Sequence, residues 1–316
     1  MAEPTIDIKQ DVDGNNNIII GQGANVVINQ GADGQHEVRR SIPELLAHRT
    51  DRDAQKRTLR RALAAHLKER PSRPFVMLIV GEEAENPKSF LDVLQEYTVP
   101  ELTANHGPIR HSLLTWPDPH NSTAHRLDAL GEVLQERLEH PPLERVDIST
   151  DDAHSCICNV LTRAGQPLFF ESHLTDRDWQ ADDVALIQSW LSFWDALPNL
   201  DPLNPVVVAL CVEFLPDLRK FRLFGNPKKQ QEDIRQIIQA IDFATFPSLG
   251  GTLLPELGAI ARKHVEAWIE HLACDFADKA ALNRKVRALY NEHNDQPLSM
   301  EVLAPKLEAF IQELQP

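Results

Sequence analysis

Long apolar runs, basic charge and paired cysteines are all scarce in this chain of 316 residues. No stretch reaches the roughly 18 to 20 consecutive apolar residues that a membrane helix needs. The N-terminus lacks a charged-then-apolar leader pattern, so a cytoplasmic protein with no membrane partner is expected. Lysine and arginine number 32 against 47 aspartates and glutamates, a formal net charge of -15. Nucleic acid and anionic lipid are bound mainly through cations that neutralise phosphates, so neither is an expected partner. The four cysteines, Cys156, Cys158, Cys211 and Cys274, are too few and too scattered for a disulfide framework, and free thiols are expected. The remainder is globular in composition, 42% apolar and 25% charged. The length suits one large α/β domain with appendages, or two modest domains.

Residues 73–91 carry the outline of a phosphate-binding loop without its working parts. An apolar run from Phe75 to Val80 reads as a buried parallel strand, Gly81 ends it, and Lys88 and Ser89 open a helix through Phe90, Leu91 and Leu94. A working loop follows G-x-x-x-x-G-K-[ST], whose second glycine lets backbone N–H groups wrap the phosphates. Here Lys88 comes one residue late and Asn86-Pro87 replaces the glycine and lysine. Proline removes a donor and fixes its own φ, which works against a nest of amides. Glu82, Glu83 and Glu85 place carboxylates where polyphosphate would sit. Each like-charge contact there costs on the order of several kcal/mol. The reading is a nucleotide-binding fold that has lost its nucleotide chemistry.

Residues 17–31 hold a repeat spaced by eight positions: Asn17, Ile18, Ile19, Ile20 and Gln22, then Asn25, Val26, Val27, Ile28 and Gln30. Two β-branched triplets between turn residues read as a pair of short strands. A two-stranded hairpin is marginal by itself in water and needs a partner. High β-propensity, stackable amides and the lack of charge or proline suit cross-β assembly. The functional reading is homotypic self-association; the bland readings are a hairpin docked on its own domain or a tail.

Downstream, apolar periodicity gives a helix after Thr50-Asp51, a strand at 112–115, a helix at 123–138 and a strand at 168–172. A helix carrying Trp190 and Trp194 follows, then a second continuously apolar strand at 205–214. Helices are expected at 228–240, 263–276, 280–291 and 299–313, with a turn-and-packing segment at 254–260. Strands alternating with helices, several of them apolar throughout, imply an α/β fold with a mostly parallel sheet covered on both faces. The expected organisation is a β-repeat and linker at 1–34, linker helices at 35–72, an α/β core at 73–215 and a helical portion at 216–316.

Several strings, in this order and spacing, make the region from about residue 41 to 316 resemble the inactive STAND domain of bacteria, a degenerate relative of P-loop signalling ATPases. They are the run Thr50 to Gln55, the run Arg73 to Glu83, Leu113-Leu-Thr-Trp-Pro117 and Phe193-Trp-Asp-Ala-Leu-Pro198. Leu254 to Trp268 and Leu298 to Leu303 complete the set. The resemblance implies a P-loop NTPase-like domain without hydrolysis, preceded by a small module that recruits effectors. It also implies a place in bacterial conflict systems, in anti-phage defence or cell death. An effector or sensor encoded nearby would be the protein partner, with the repeat at 17–31 in the recruiting position.

Active relatives contact adenine through a segment ahead of the loop, the place held here by Asp51, Arg52 and Gln55. Together with Gly81, Lys88 and Ser89 these are the residues a residual purine nucleotide would use. The structural alternative makes Asp51 an N-cap and Arg52 a surface or ion-pair residue. Glu171 and Glu213 stand near strand ends, where an acidic metal position would lie, but neither belongs to a carboxylate pair. His154, Cys156 and Cys158 have no second ligand pair, so no metal is expected. Trp179, Trp190, Phe193 and Trp194 fall at core spacing, and no nucleophile elbow is present. The expectation is therefore a non-catalytic signalling or scaffold protein and not an enzyme. The alternative is a nucleotide-binding STAND-type ATPase with a remodelled loop.

Overall fold

The computed structural model describes residues 46–50, 52–103, 109–114, 116, 129, 161, 165–180, 183–197, 199–216, 227–272 and 278–314. Its strands are β1 (Phe75–Glu82), β2 (Arg110–Leu113), β3 (Leu168–Thr175), β4 (Val206–Phe214) and β5 (Gly250–Leu253). They form one sheet in the order β2-β3-β4-β1-β5, and every pairing is parallel.

The two continuous apolar runs lie side by side as β1 and β4, with Phe75 opposite Val207 and Val80 opposite Val212. Alternate residues feed two separate cores, which explains why neither run contains a polar face. Val76, Leu78, Val80, Val206, Val208, Leu210 and Val212 enter one core with the helices α4 (Asp183–Ala196) and α5 (Pro227–Gln239). Trp190 and Trp194 of α4 are buried there, edge to face at 6.2 Å. Phe75, Met77, Ile79, Val207 and the free, buried Cys211 enter the other. That second core is covered by α1 (Asp53–Glu69) and α2 (Pro87–Val93), the latter continuing through a π turn into α3 (Val99–Leu102). The result is the expected α/β arrangement, its sheet parallel throughout and covered by helices on both faces.

The helical C-terminal portion is α6 (Arg262–His271), α7 (Lys279–Glu292) and α8 (Met300–Glu313), with a core of its own that also takes in Leu46 and Ala47. One strand arises where only helices and turns were expected: β5, at 250–253, pairs with β1 from Phe75 to Leu78. Its two glycines are required by close neighbours. A Cβ at Gly250 would lie 2.0 Å from Nδ1 of His66, and one at Gly251 1.9 Å from the Phe243 ring. Further differences are local: the second strand starts at Arg110, and α1 begins with Arg52, not Asp51, at its N-cap position. The repeat at 17–31, Asp51 itself, and the segment with His154, Cys156 and Cys158 lie outside the described residues. Among the described residues no helix is long and apolar enough to cross a membrane.

Candidate functional site

β1 does not stop at Gly81; it continues to Glu82, and Gly81 stands opposite Glu213 of β4. A Cβ on Gly81 would meet Leu257 Cβ at 3.0 Å and Pro87 Cγ at 3.1 Å, so glycine is needed here for packing by protein atoms. The chain then makes a 3-10 turn, Glu83–Glu85, and enters α2 through Asn86 in the left-handed region (φ 53°, ψ 61°). Asn86 is the N-cap: its Oδ1 accepts from the Ser89 N–H at 3.4 Å, and Pro87 follows at the first helical position. The Asn86 N–H donates to the Glu83 carbonyl at 2.9 Å, and the Phe90 N–H to the Asn86 carbonyl at 3.2 Å. The amides at 86 and 89 are thus used within the loop, and position 87 has none.

Arg52 closes this turn from outside. Its Nη2 donates to the Glu85 carbonyl at 2.9 Å and lies 3.3 Å from the Glu85 carboxylate, while Nη1 donates to the Gly258 carbonyl at 2.9 Å. The two side chains are 2% and 7% exposed, so of the two structural readings of Arg52, surface residue or ion pair, the fold shows the ion pair, and it is buried. Glu85 likewise turns inward and does not face the loop opening. Burial raises its carboxyl above the ordinary range, opposed by the Arg52 guanidinium and by the N–H of Met300 at the start of α8. Gln55, one turn along α1, donates to the Glu256 carbonyl at 3.1 Å. Arg52 and Gln55 do reach the loop side of the sheet, but both spend donors on the segment 256–258. Lys88 is exposed and Ser89 half-buried.

A second group lies on the same sheet face, beside α2. Glu171 of β3 is buried, with Oε2 3.4 Å from Nε2 of His111 on β2 and 3.9 Å from Nε2 of His173. Burial pushes the Glu171 carboxyl up, yet the two imidazoles outweigh it and hold the group down to about 2. Asp92 of α2 is raised by burial and by the charge of Glu171, and Glu213 is raised by burial and by Glu83. These carboxylates raise one another, and Lys88, His111 and His173 are the cationic groups that oppose them. Among the described residues no group of three or more His, Cys, Asp or Glu is arranged to hold a metal ion. On the other side of the sheet end, Arg235 stacks on Phe214 at 4.1 Å and pairs with Glu256 at 2.8 Å and Glu82 at 3.4 Å.

Sequence reasoning placed Arg52, Gln55, Gly81, Lys88 and Ser89 near one another, and the fold does bring them to one end of the sheet. It missed Glu85 as the partner of Arg52, Leu257 as the plug over Gly81, and the His111–Glu171–His173 group. The Asn86-Pro87 pair held a readable signal, since Asn at an N-cap with Pro after it is a helix start.

No family model matches the chain, and no curated protein matches it. Solved structures that resemble it include the ORC2 protein of Aeropyrum pernix in its ADP form, at 12% identity over 83% of this chain and 68% of that one, with a TM-score of 0.41. Cdc6p from Pyrobaculum aerophilum is 13% identical over 85% of this chain and 61% of its own, with a TM-score of 0.41. A RuvB variant of Thermotoga maritima is 14% identical over 84% of this chain and 72% of its own, with a TM-score of 0.32.

Proposed function

We propose that this chain is a non-catalytic, cytoplasmic signalling or scaffold protein of STAND type, in which the strand, loop and helix of a nucleotide site survive as a structural core. The observation that carries the reading is the buried Arg52–Glu85 pair, which holds the loop shut against Gly258 and the start of α8. Three features support it. The loop amides at 86 and 89 bond within the loop, Pro87 and Leu257 pack on Gly81, and the surrounding carboxylates resist added negative charge. In this reading residues 17–31 assemble like with like and recruit an effector encoded nearby, in a bacterial anti-phage or cell-death system.

Phosphate release from ATP and GTP by the purified full chain tests the catalytic half. The expected outcome is turnover at background with and without magnesium. Turnover above background that disappears in Lys88→Ala would favour the remodelled ATPase instead, for which the exposure of Lys88 at the head of α2 is the supporting observation.

A further inference from the structure

The other end of the sheet carries an arrangement that the closed loop does not explain. Arg70, Ser72 and Arg73, between α1 and β1, meet Asn199 and Ser248 around a cleft of about 460 Å³. An eight-residue strand spans roughly 25 Å, so β1 separates this cleft from the loop by about that distance. The volume falls within the roughly 300–1,000 Å³ of small-molecule sites.

Each arginine is tethered once to a backbone carbonyl beside the cleft. Arg70 Nη1 donates to the Pro247 carbonyl at 2.7 Å, and Arg73 Nη1 donates to the Leu197 carbonyl at 2.6 Å. The walls are tied as well. The Leu200 N–H donates to the Ser72 carbonyl at 2.8 Å, the Ser248 N–H to the Asp195 carboxylate at 2.7 Å, and the buried His66 holds the Arg73 carbonyl at 2.8 Å. A guanidinium has five N–H donors in a rigid fork. One tether orients the fork and leaves donors over, so little ordering cost remains when a ligand arrives.

In a chain of net charge -15, this cleft is lined by two tethered arginines, by Ser72, Ser248 and Asn199, and by one acidic residue, Glu69. We infer that it binds a small molecule through one oxyanionic group, a phosphate or a carboxylate. Glu69 also lines the cleft, and its like charge disfavours ligands that carry several negative charges. Paired guanidinium forks match the planar carboxylate and the tetrahedral phosphate alike through charge-assisted bonds.

Thermal unfolding of the full chain, titrated with inorganic phosphate and in a parallel arm with acetate, decides the matter, with ionic strength held constant by chloride. The expected result is a saturable rise in Tm with at least one anion, and the better of the two names the group. Arg70→Gln and the exposed Asn199→Asp each weaken the apparent affinity by about tenfold or more, since one loses a fork and the other adds a like charge. Asn199→Asp keeps the test valid if Arg70→Gln fails to fold. Lys88→Ala binds like the native chain. A non-saturating rise of equal size in every protein is the general effect of an excluded anion and overturns the proposal, leaving the closed-loop reading untouched. Binding lost only in Lys88→Ala overturns it too, and counts against the closed loop as well.

Discussion

Arg52 and Glu85, 33 residues apart in sequence, meet as a buried ion pair at 3.3 Å, and a second N–H from the same guanidinium nitrogen holds the Glu85 carbonyl. The pair closes the turn between β1 and α2 and ties it to the segment that leads into the C-terminal helices. Taking two charges out of water gains little by itself, but breaking such a pair leaves one charge stranded.

Arg52→Met is therefore expected to cost about 3–5 kcal/mol at neutral pH. The Glu85 carboxyl is already raised by burial, and without Arg52 it rises further. A carboxyl whose folded value is raised destabilises the fold when ionised, and the penalty fades as pH falls through that folded value. Urea unfolding should show the Arg52→Met deficit shrinking from pH 7 to pH 5, and Glu85→Gln in the same background should recover part of it. An equal deficit at both pH values with no recovery would mean the pair does not carry the strain assigned to it.

Gly250→Ala is expected to destabilise by about 1–3 kcal/mol, because the added methyl overpacks against His66. The ring cannot move aside freely: it is buried, and its Nε2 is hydrogen-bonded to the Arg73 carbonyl at 2.8 Å. In a double-mutant cycle with His66→Ala the two substitutions should couple by about 1 kcal/mol or more. Simple additivity would show that the edge strand relaxes around the methyl.

Glu171 sets a term of opposite sign. Its folded value, about 2, lies below the ordinary 4.5, so its contribution is fully present above 4.5 and is lost as pH falls toward 2. The gap in stability between the native chain and Glu171→Gln is expected to narrow on acidification. The comparison with the variant isolates this group, because the raised Glu213 gives the opposite slope in both proteins. Identical acid sensitivity of the two would show that His111 and His173 do not stabilise the carboxylate.

Much of the fold is legible in the chain because burial on both faces leaves an unbroken apolar run. That signal located β1 and β4, and their parallel pairing follows from the β-α-β order. β5 escaped notice for a physical reason: Gly250, Gly251 and Thr252 have little strand character of their own, and the two glycines are there to admit His66 and Phe243. The departures from a working phosphate loop at Asn86-Pro87 were equally visible, since they are local. The partner of Arg52 was not, because a pair formed across 33 residues depends on how α1 docks on the sheet, and no periodicity encodes that. Similarly, Glu171 read as a single strand-end carboxylate until β2 and β3 brought two histidines to it.

In the proposed scaffold, residues 17–31 assemble and the folded domain does not. On that proposal the repeated β-branched triplets would pair with another copy in register and stack their amides, and a lysine at Ile19 would set like charges at every layer. Sedimentation velocity across a concentration series, on the full chain, on Ile19→Lys and on a chain starting at Ser41, measures this directly. Large, concentration-dependent species are expected for the full chain and one small species for the other two, with unfolding midpoints unchanged. The same species in all three, at every concentration, would contradict the proposal.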